Sequence, residues 1–440
     1  MTAKMLLFAV FCCVSGGPLG MEEVVKQAGP LLALILLLVL PLVWALPDGL
    51  ITAELSTMIP EEGGYYQWVK QSLGQPAAFL NGWWTWLYAI LDGAMYPIYF
   101  GEVFLRAMAL VLHRPELADS ADGKWLAGTV MVVVFTLINV RGARDTGKTS
   151  VLLSALVITP FVLMMGIAAS RLGQAHPITW KMPSEIGPAL AGSYGLAIWN
   201  YLGWDSLSTV AEEVEEPAKA YPFAMFVGIP MVALLYIGSM VAGLAFQPNL
   251  SAWSDGSWPD IARQVGGPLL FGLMLVGAIA GNAGLYTASF LAISRVPGVM
   301  AQDGYLPPVL TRRHPRYGTP VVVMLVCAVL YIVLARVFRF GELASINIIF
   351  YAVALGMEGA ALVWFRVRQP DRHRPFKIAG GLPVAIGVAC LPVLVLGSVI
   401  YLSWTEEGWK ALVVPVLGLA SGPIAWWALR RASWRASRSS

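Results

Sequence analysis

The chain has 440 residues, 58% of them hydrophobic and only 12% charged, with a net charge of +3. So little polar surface cannot coat a set of soluble domains of this size, which places the chain in a bilayer. The positive excess sorts by membrane side, so it gives no ground for a nucleic-acid partner.

Apolar runs of ~20 residues or more, enough to cross hydrocarbon, fall at 3–28, 30–58, 77–112, 123–140, 149–171, 188–211, 222–247, 267–294, 319–336, 342–366, 382–404 and 409–430, predicting twelve spans. An even number puts both termini on one side, and 19 of the 29 Lys and Arg fall on that side, led by RGARDTGK, TRRHPR, RVRQPDRHRPFK and the tail. By the positive-inside rule both ends are cytoplasmic.

The first span opens like a secretory signal, with Lys4, a short apolar run and Ser15-Gly16-Gly17. Its helical pattern resumes at once in LGMEEVVKQ, and cleavage would leave an odd number of spans, so it is read as a membrane helix. Ser15, Gly16, Gly17, Pro18 and Gly20 nonetheless break that helix. In hydrocarbon each unpaired backbone group costs several kcal/mol, so an unwound segment must be buried in protein or line a watery cavity. A second break, WNYLGWDS at 199–206, interrupts the sixth span with Asn200, Gly203 and Asp205. Matched breaks in two halves mark carriers built of inverted repeats. The expected units are 1–171, 187–367, a C-terminal pair at 380–430 and a basic tail at 431–440.

Glu22 and Glu23 follow the first break, where they compensate the helix dipole or make the site poorer for an anion. In the second span Asp48 and Glu54 are candidates for carrying a coupling ion, Glu54 being read first as one half of an ion pair at the span's end. Residues 60–76, with Gly63-Gly64 and an aromatic cluster, suit an interfacial anchor or a gate. Asp92 lies deep in the third span with no basic residue near it in sequence. Placing it there costs at least ~2.5 kcal/mol, so it must face a cavity or a partner. It binds a substrate ammonium, serves as a proton site or is a hydrogen-bonded packing residue.

Glu102 and Arg106, four apart, are read as a structural pair. Trp199, Tyr201 and Trp204 surround the second break; aromatic faces attract alkylammonium groups, although the same spacing suits packing. Glu212, Glu213, Glu215 and Glu216 end the sixth span opposite basic loops as an inner-gate network. The loop 295–318 is expected to hold a short surface helix, and Glu358 in the tenth span is a further coupling candidate. Cys12, Cys13, Cys327 and Cys390 lie inside spans and the four His in loops, so neither a disulfide framework nor a metal site is expected.

Five stretches, VSGGPLGMEEVV, AGPLLALILLLVLPLVWALPDGLITAELSTMIPEEGGYYQWV, NYLGWDSLSTVAEEVEEPAKAYP, RYGTP and RPFKI, occur in this order. They resemble the amino acid, polyamine and organocation transporter superfamily, and within it the plant-type polyamine uptake transporters. The resemblance implies an all-α, LeuT-like membrane fold of two inverted five-helix repeats with helices 1 and 6 broken, plus two C-terminal helices. It implies alternating access at the cell membrane, with no enzymatic chemistry and no cofactor. The partners would be a small cationic substrate, a proton rather than sodium, and lipid. The pocket would use Ser15, Gly16, Gly17, Glu22, Asp92, Trp199, Asn200, Trp204 and Asp205, Trp199 matching an aromatic lid, while Asp48, Glu54, Glu213 and Glu358 serve coupling or gating.

Two positions depart from the pattern. Val157 stands where many proton-coupled members carry Lys, and Ile346 stands before Asn347 where the plant carriers have an acid. The alternative is therefore an amino acid transporter of the same fold, whose span 1 amides hold a carboxylate while Asp92 or Asn200 meets the amine.

Overall fold

A computed structural model describes residues 1–338 and 340–439, with side chains described except at 340–346, 406–407, 410–411 and 430–439. The position of Ile346 and the tail 431–440 lie outside the described side chains.

Helix α1 (Ala3–Val14) starts on a Thr2 cap and stops at Ser15, after which Gly17 and Gly20 take φ values of 105° and 84°. Only glycine enters that region without strain, which is why the run of glycines ends the helix. Helix α2 (Met21–Leu40) turns sharply at Gly29 (φ 71°) before Pro30, so 21–28 completes the first span and the rest begins the second. A widened turn at Pro41–Ala45 leads into α3 (Leu46–Met58). The same Gly-Pro device recurs in α10 (Trp258–Ile293) at Gly267 (φ 76°) and Pro268. Proline removes a helical N–H and sets the kink.

Between these lie α4 (Tyr65–Leu73), α5 (Gln75–Val111), α6 (Ala121–Val140), α7 (Ala143–Ser170), α8 (Ile186–Trp199) and α9 (Pro217–Phe246). The chain ends with α11 (Val296–Gln302), α12 (Val321–Val337), α13 (Phe340–Arg368), α14 (Gly381–Glu407) and α15 (Lys410–Ser439). Helix α8 stops at Trp199, and only short 3-10 turns, Ser206–Thr209 and Ala211–Glu213, follow before α9. Among the described residues nine helical stretches are long and apolar enough to cross a membrane, and Ala3–Val14 and Val321–Val337 are shorter apolar helices. The protein is an all-α, multi-pass membrane protein.

Its burial is that of a membrane bundle. Leu126, Val130 and Leu137 on α6 and Leu325, Val329 and Val333 on α12 face outward, whereas Asp48, Asp92, Asn200, Asp205, Asn347 and Glu358 are buried. Helix α1 is central, packed on α7, α9 and α10. There a Cβ on Gly281 of α10 would sit 2.2 Å from the Gly16 carbonyl oxygen. Gly281→Ala is therefore expected to destabilise the protein by about 1–3 kcal/mol through overpacking. Gly272→Ala, in the same helix with nothing near its Cβ position, should be neutral or stabilising. Comparing the two melting curves in detergent checks this, and equal effects would mean that the close approach at the break is absent.

Three sequence expectations are corrected. Glu102 and Arg106 do not pair: Arg106 bonds Asp260 at 2.7 Å and Lys124 lies 3.6 Å from Glu102, since neighbouring elements supply better partners than the helix itself. The helix expected at the surface of 295–318 exists as α11, but Val296 to Ala301 are buried. The aromatic segment at 60–76 is no surface anchor. Tyr65, Tyr66 and Trp68 are buried, and Gly63 donates its N–H to the Thr209 carbonyl at 2.9 Å.

Candidate functional site

The first break satisfies its own amides. Gly17 N–H donates to Ser15 Oγ at 3.0 Å, and Gly20 N–H donates to Glu22 Oε2 at 2.8 Å. A carboxylate at the start of a half-helix occupies the place a substrate anion would take. A Cβ on Gly16 would lie 2.9 Å from the Gly281 carbonyl oxygen and one on Gly17 2.6 Å from Val157 Cγ1, so Val157 does stand at the break. The two breaks are joined by Tyr236 of α9. Its hydroxyl donates to the Asn200 carbonyl at 3.0 Å and lies 2.8 Å from Ser15 Oγ.

Beside the breaks, α5 and α13 supply a buried acidic site. Asp92 accepts from Trp199 Nε1 at 3.3 Å, from Asn347 Nδ2 at 2.8 Å and from the Tyr96 hydroxyl. All three donors are neutral, and among the described residues no Lys or Arg pairs with Asp92. One turn along α13 from Asn347, Tyr351 gathers a second set: its hydroxyl lies 2.7 Å from Asp48 Oδ2 and 2.6 Å from Asp205 Oδ1, and accepts the Gly203 N–H at 3.0 Å. A phenol has one proton to give. It can satisfy one of the two carboxylates, and the other contact is a hydrogen bond only if that carboxyl brings its own proton. Glu358 faces the same cluster, close to Asp205.

A narrow cavity joins Asp92 to Asp205, walled by Tyr88, Tyr96, Tyr286, Tyr331 and Tyr351. Its volume is about 20 Å³, room for little more than one water molecule. The wall offers hydroxyls and aromatic faces, the lining expected around an organic cation.

The remaining candidates lie elsewhere. Trp204 is fully buried but packs toward α9, 3.1 Å from where a Cβ on Gly228 would be, and is not on the cavity wall. Asn200 turns its amide back to the Leu196 carbonyl at 2.9 Å. Glu22 lines a separate cavity. Glu54 forms an ion pair with Arg366 and another with Arg374 at 3.2 Å, so the coupling candidate is a structural brace. Glu213 bonds the buried Arg295 at 2.8 Å, and Glu62, 3.9 Å from the same guanidinium, also pairs with Arg313, while Asp303 is held by Lys70 at 2.7 Å and Tyr66 at 2.6 Å. Sequence reasoning missed Tyr96, Tyr236, Asn347 and Tyr351. The i, i+4 spacing of Asp92 and Tyr96 is a signal for Tyr96, whereas nothing in the pattern around Tyr236 or Tyr351 sets either apart from a packing tyrosine.

A family model described as amino acid permease matches residues 6–424. A probable polyamine transporter of Arabidopsis thaliana is 34% identical over 95% of this chain and 82% of its own length. A polyamine transporter of Oryza sativa subsp. japonica is 33% identical over 95% of this chain and 77% of its own. A branched-chain amino acid permease of Bacillus subtilis is 25% identical over 80% of this chain and 77% of its own.

Proposed function

Given that the chain belongs to the amino acid permease family, and so is a membrane transporter rather than an enzyme, we propose that it imports polyamines across the cell membrane by alternating access. The proposed frame has twelve helices, with inverted repeats at 1–171 and 187–367 followed by 380–430 and the tail 431–440. The charge asymmetry of the loops supports a cytoplasmic location for both termini.

The observation that carries the substrate class is Asp92, a buried carboxylate held only by neutral donors on a tyrosine-walled cavity. Among the described residues it lacks a positive partner, and an ammonium supplies one. The capping of the first break by Glu22 points the same way, because it disfavours a substrate carboxylate there. Asp205 marks a second acidic position: Asn347, which bonds Asp92, and Tyr351, which bonds Asp205, stand one turn apart, about 6 Å along α13 by the rise of an α-helix, so the two carboxylates can serve the two ends of a short diamine. Trp199, bonded to Asp92, acts as the lid, and the Arg295 cluster is the inner gate. The coupling proton belongs to the Asp48, Asp205 and Glu358 group, where Tyr351 has one proton for two carboxylates. Val157 takes no part in coupling.

Uptake by purified protein in liposomes tests the reading. Labelled putrescine is expected to accumulate when an inward proton gradient is imposed, and preloaded unlabelled putrescine should drive counterflow. A carrier that moves leucine or arginine and ignores putrescine and spermidine would instead be the amino acid transporter, in line with its similarity to the Bacillus permease.

A further inference from the structure

The cavity that contains Glu22 lies apart from the central site and has a volume of about 230 Å³. Its walls carry Tyr99 and Trp258, three carboxylates (Glu22, Glu102 and Asp255) and two cations, Arg106 and Lys124. The cations are already engaged. Arg106 bonds Asp260 at 2.7 Å and the Gly256 carbonyl at 3.2 Å, and Lys124 stands 3.6 Å from Glu102. Glu22 and Asp255 are left without an ion pair among the described residues.

Glu22 is the telling group. It is 0% exposed. One of its oxygens caps Gly20, and the other, Oε1, has no hydrogen-bond partner among the described residues. A buried carboxylate oxygen without a donor is costly, and here it borders an open volume that a donor could enter. Asp255 is exposed at the mouth, so the cavity runs from a solvent-facing acid to a buried one. The floor adjoins the lid: a Cβ on Gly20 would lie 3.9 Å from the Trp199 ring, whose Nε1 bonds Asp92.

We propose that this cavity is a second binding site for an organic ammonium ion, in which Glu22 and Asp255 hold the cation against Tyr99 and Trp258 before Trp199 moves and admits it to Asp92. The assignment rests on the polyamine reading of the central site. It gives the acid after the break two tasks, capping the half-helix with one oxygen and receiving the incoming cation with the other.

Equilibrium binding of radiolabelled putrescine to the purified full-length protein tests it. Wild type is expected to bind two equivalents, Asp92→Asn to keep one, and Glu22→Gln and Asp255→Asn to keep the Asp92-dependent one while the KM for uptake rises about tenfold, the loss of one charge-assisted contact. Asp255 is in an exposed loop, so its variant remains informative should Glu22→Gln fail to fold. A single equivalent, abolished by Asp92→Asn and untouched by both vestibule variants, overturns the second site and leaves the central reading intact. Absence of putrescine binding in wild type overturns the polyamine reading and this assignment with it.

Discussion

Asp92→Asn is expected to weaken binding of a diamine by about tenfold to a hundredfold while leaving the fold in place. A hydrogen bond to a charged group contributes about 1.5–3 kcal/mol, and each 1.4 kcal/mol is about tenfold in affinity. The substituted amide keeps an oxygen for Asn347 and Trp199, the two donors that meet Oδ1. Its NH₂ replaces the oxygen facing Tyr96, whose hydroxyl also has Ser289 at 3.2 Å. What disappears is the negative charge, so the loss should be large for putrescine and small for a ligand whose positive charge is neutralised within the molecule. Competition binding on wild type and variant measures both. Equal losses for putrescine and a neutral amino acid would remove Asp92 from ammonium recognition.

The second large effect is on stability. Glu54 on α3 is buried and meets the guanidinium of Arg366 through two oxygens, Arg374 at 3.2 Å and the Ile378 N–H at 2.8 Å. Arg374 in turn donates to the Phe365 and Gln369 carbonyls at the end of α13, at 2.8 and 2.9 Å. Truncating the acid strands two cations in a site that excludes water, a loss of about 3–5 kcal/mol. Glu54→Ala should therefore melt well below wild type. Glu54→Leu combined with Arg366→Leu and Arg374→Leu should recover part of the loss, because a buried ionic triad replaced by apolar groups of similar volume is often neutral. A triple variant no more stable than Glu54→Ala would show that the brace does not act through buried charge.

Particular residues show how far the sequence reaches. The two interruptions were readable because glycine and proline change backbone geometry wherever they stand, and Gly17, Gly20, Gly29 and Gly203 all take positive φ. Asp92 was readable because a carboxylate deep in an apolar run demands a reason. Tyr236 and Tyr351 were not, since a tyrosine in a membrane helix has the pattern of packing or of an interface anchor until its hydroxyl's partners are known. Trp204 is the converse case, an aromatic beside the break that turns to α9. Glu102 and Arg106 show why local spacing misleads here. An i, i+4 pair contributes about 0.2–0.5 kcal/mol on a lone helix, too little to compete once Lys124 and Asp260 are brought alongside. Glu54 was correctly read as an ion pair at a span's end, but its partners come from more than 300 residues away.

The narrow chamber between Asp92 and Asp205, about 20 Å³, has a consequence for any affinity measured on this protein. A guest larger than water has no vacancy to fall into and must hold apart tyrosines that otherwise rest against one another. The observed dissociation constant is then the intrinsic one divided by the fraction of molecules already ajar. Substitutions that slacken the surrounding helices, far from either carboxylate, can sharpen apparent binding without touching the guest.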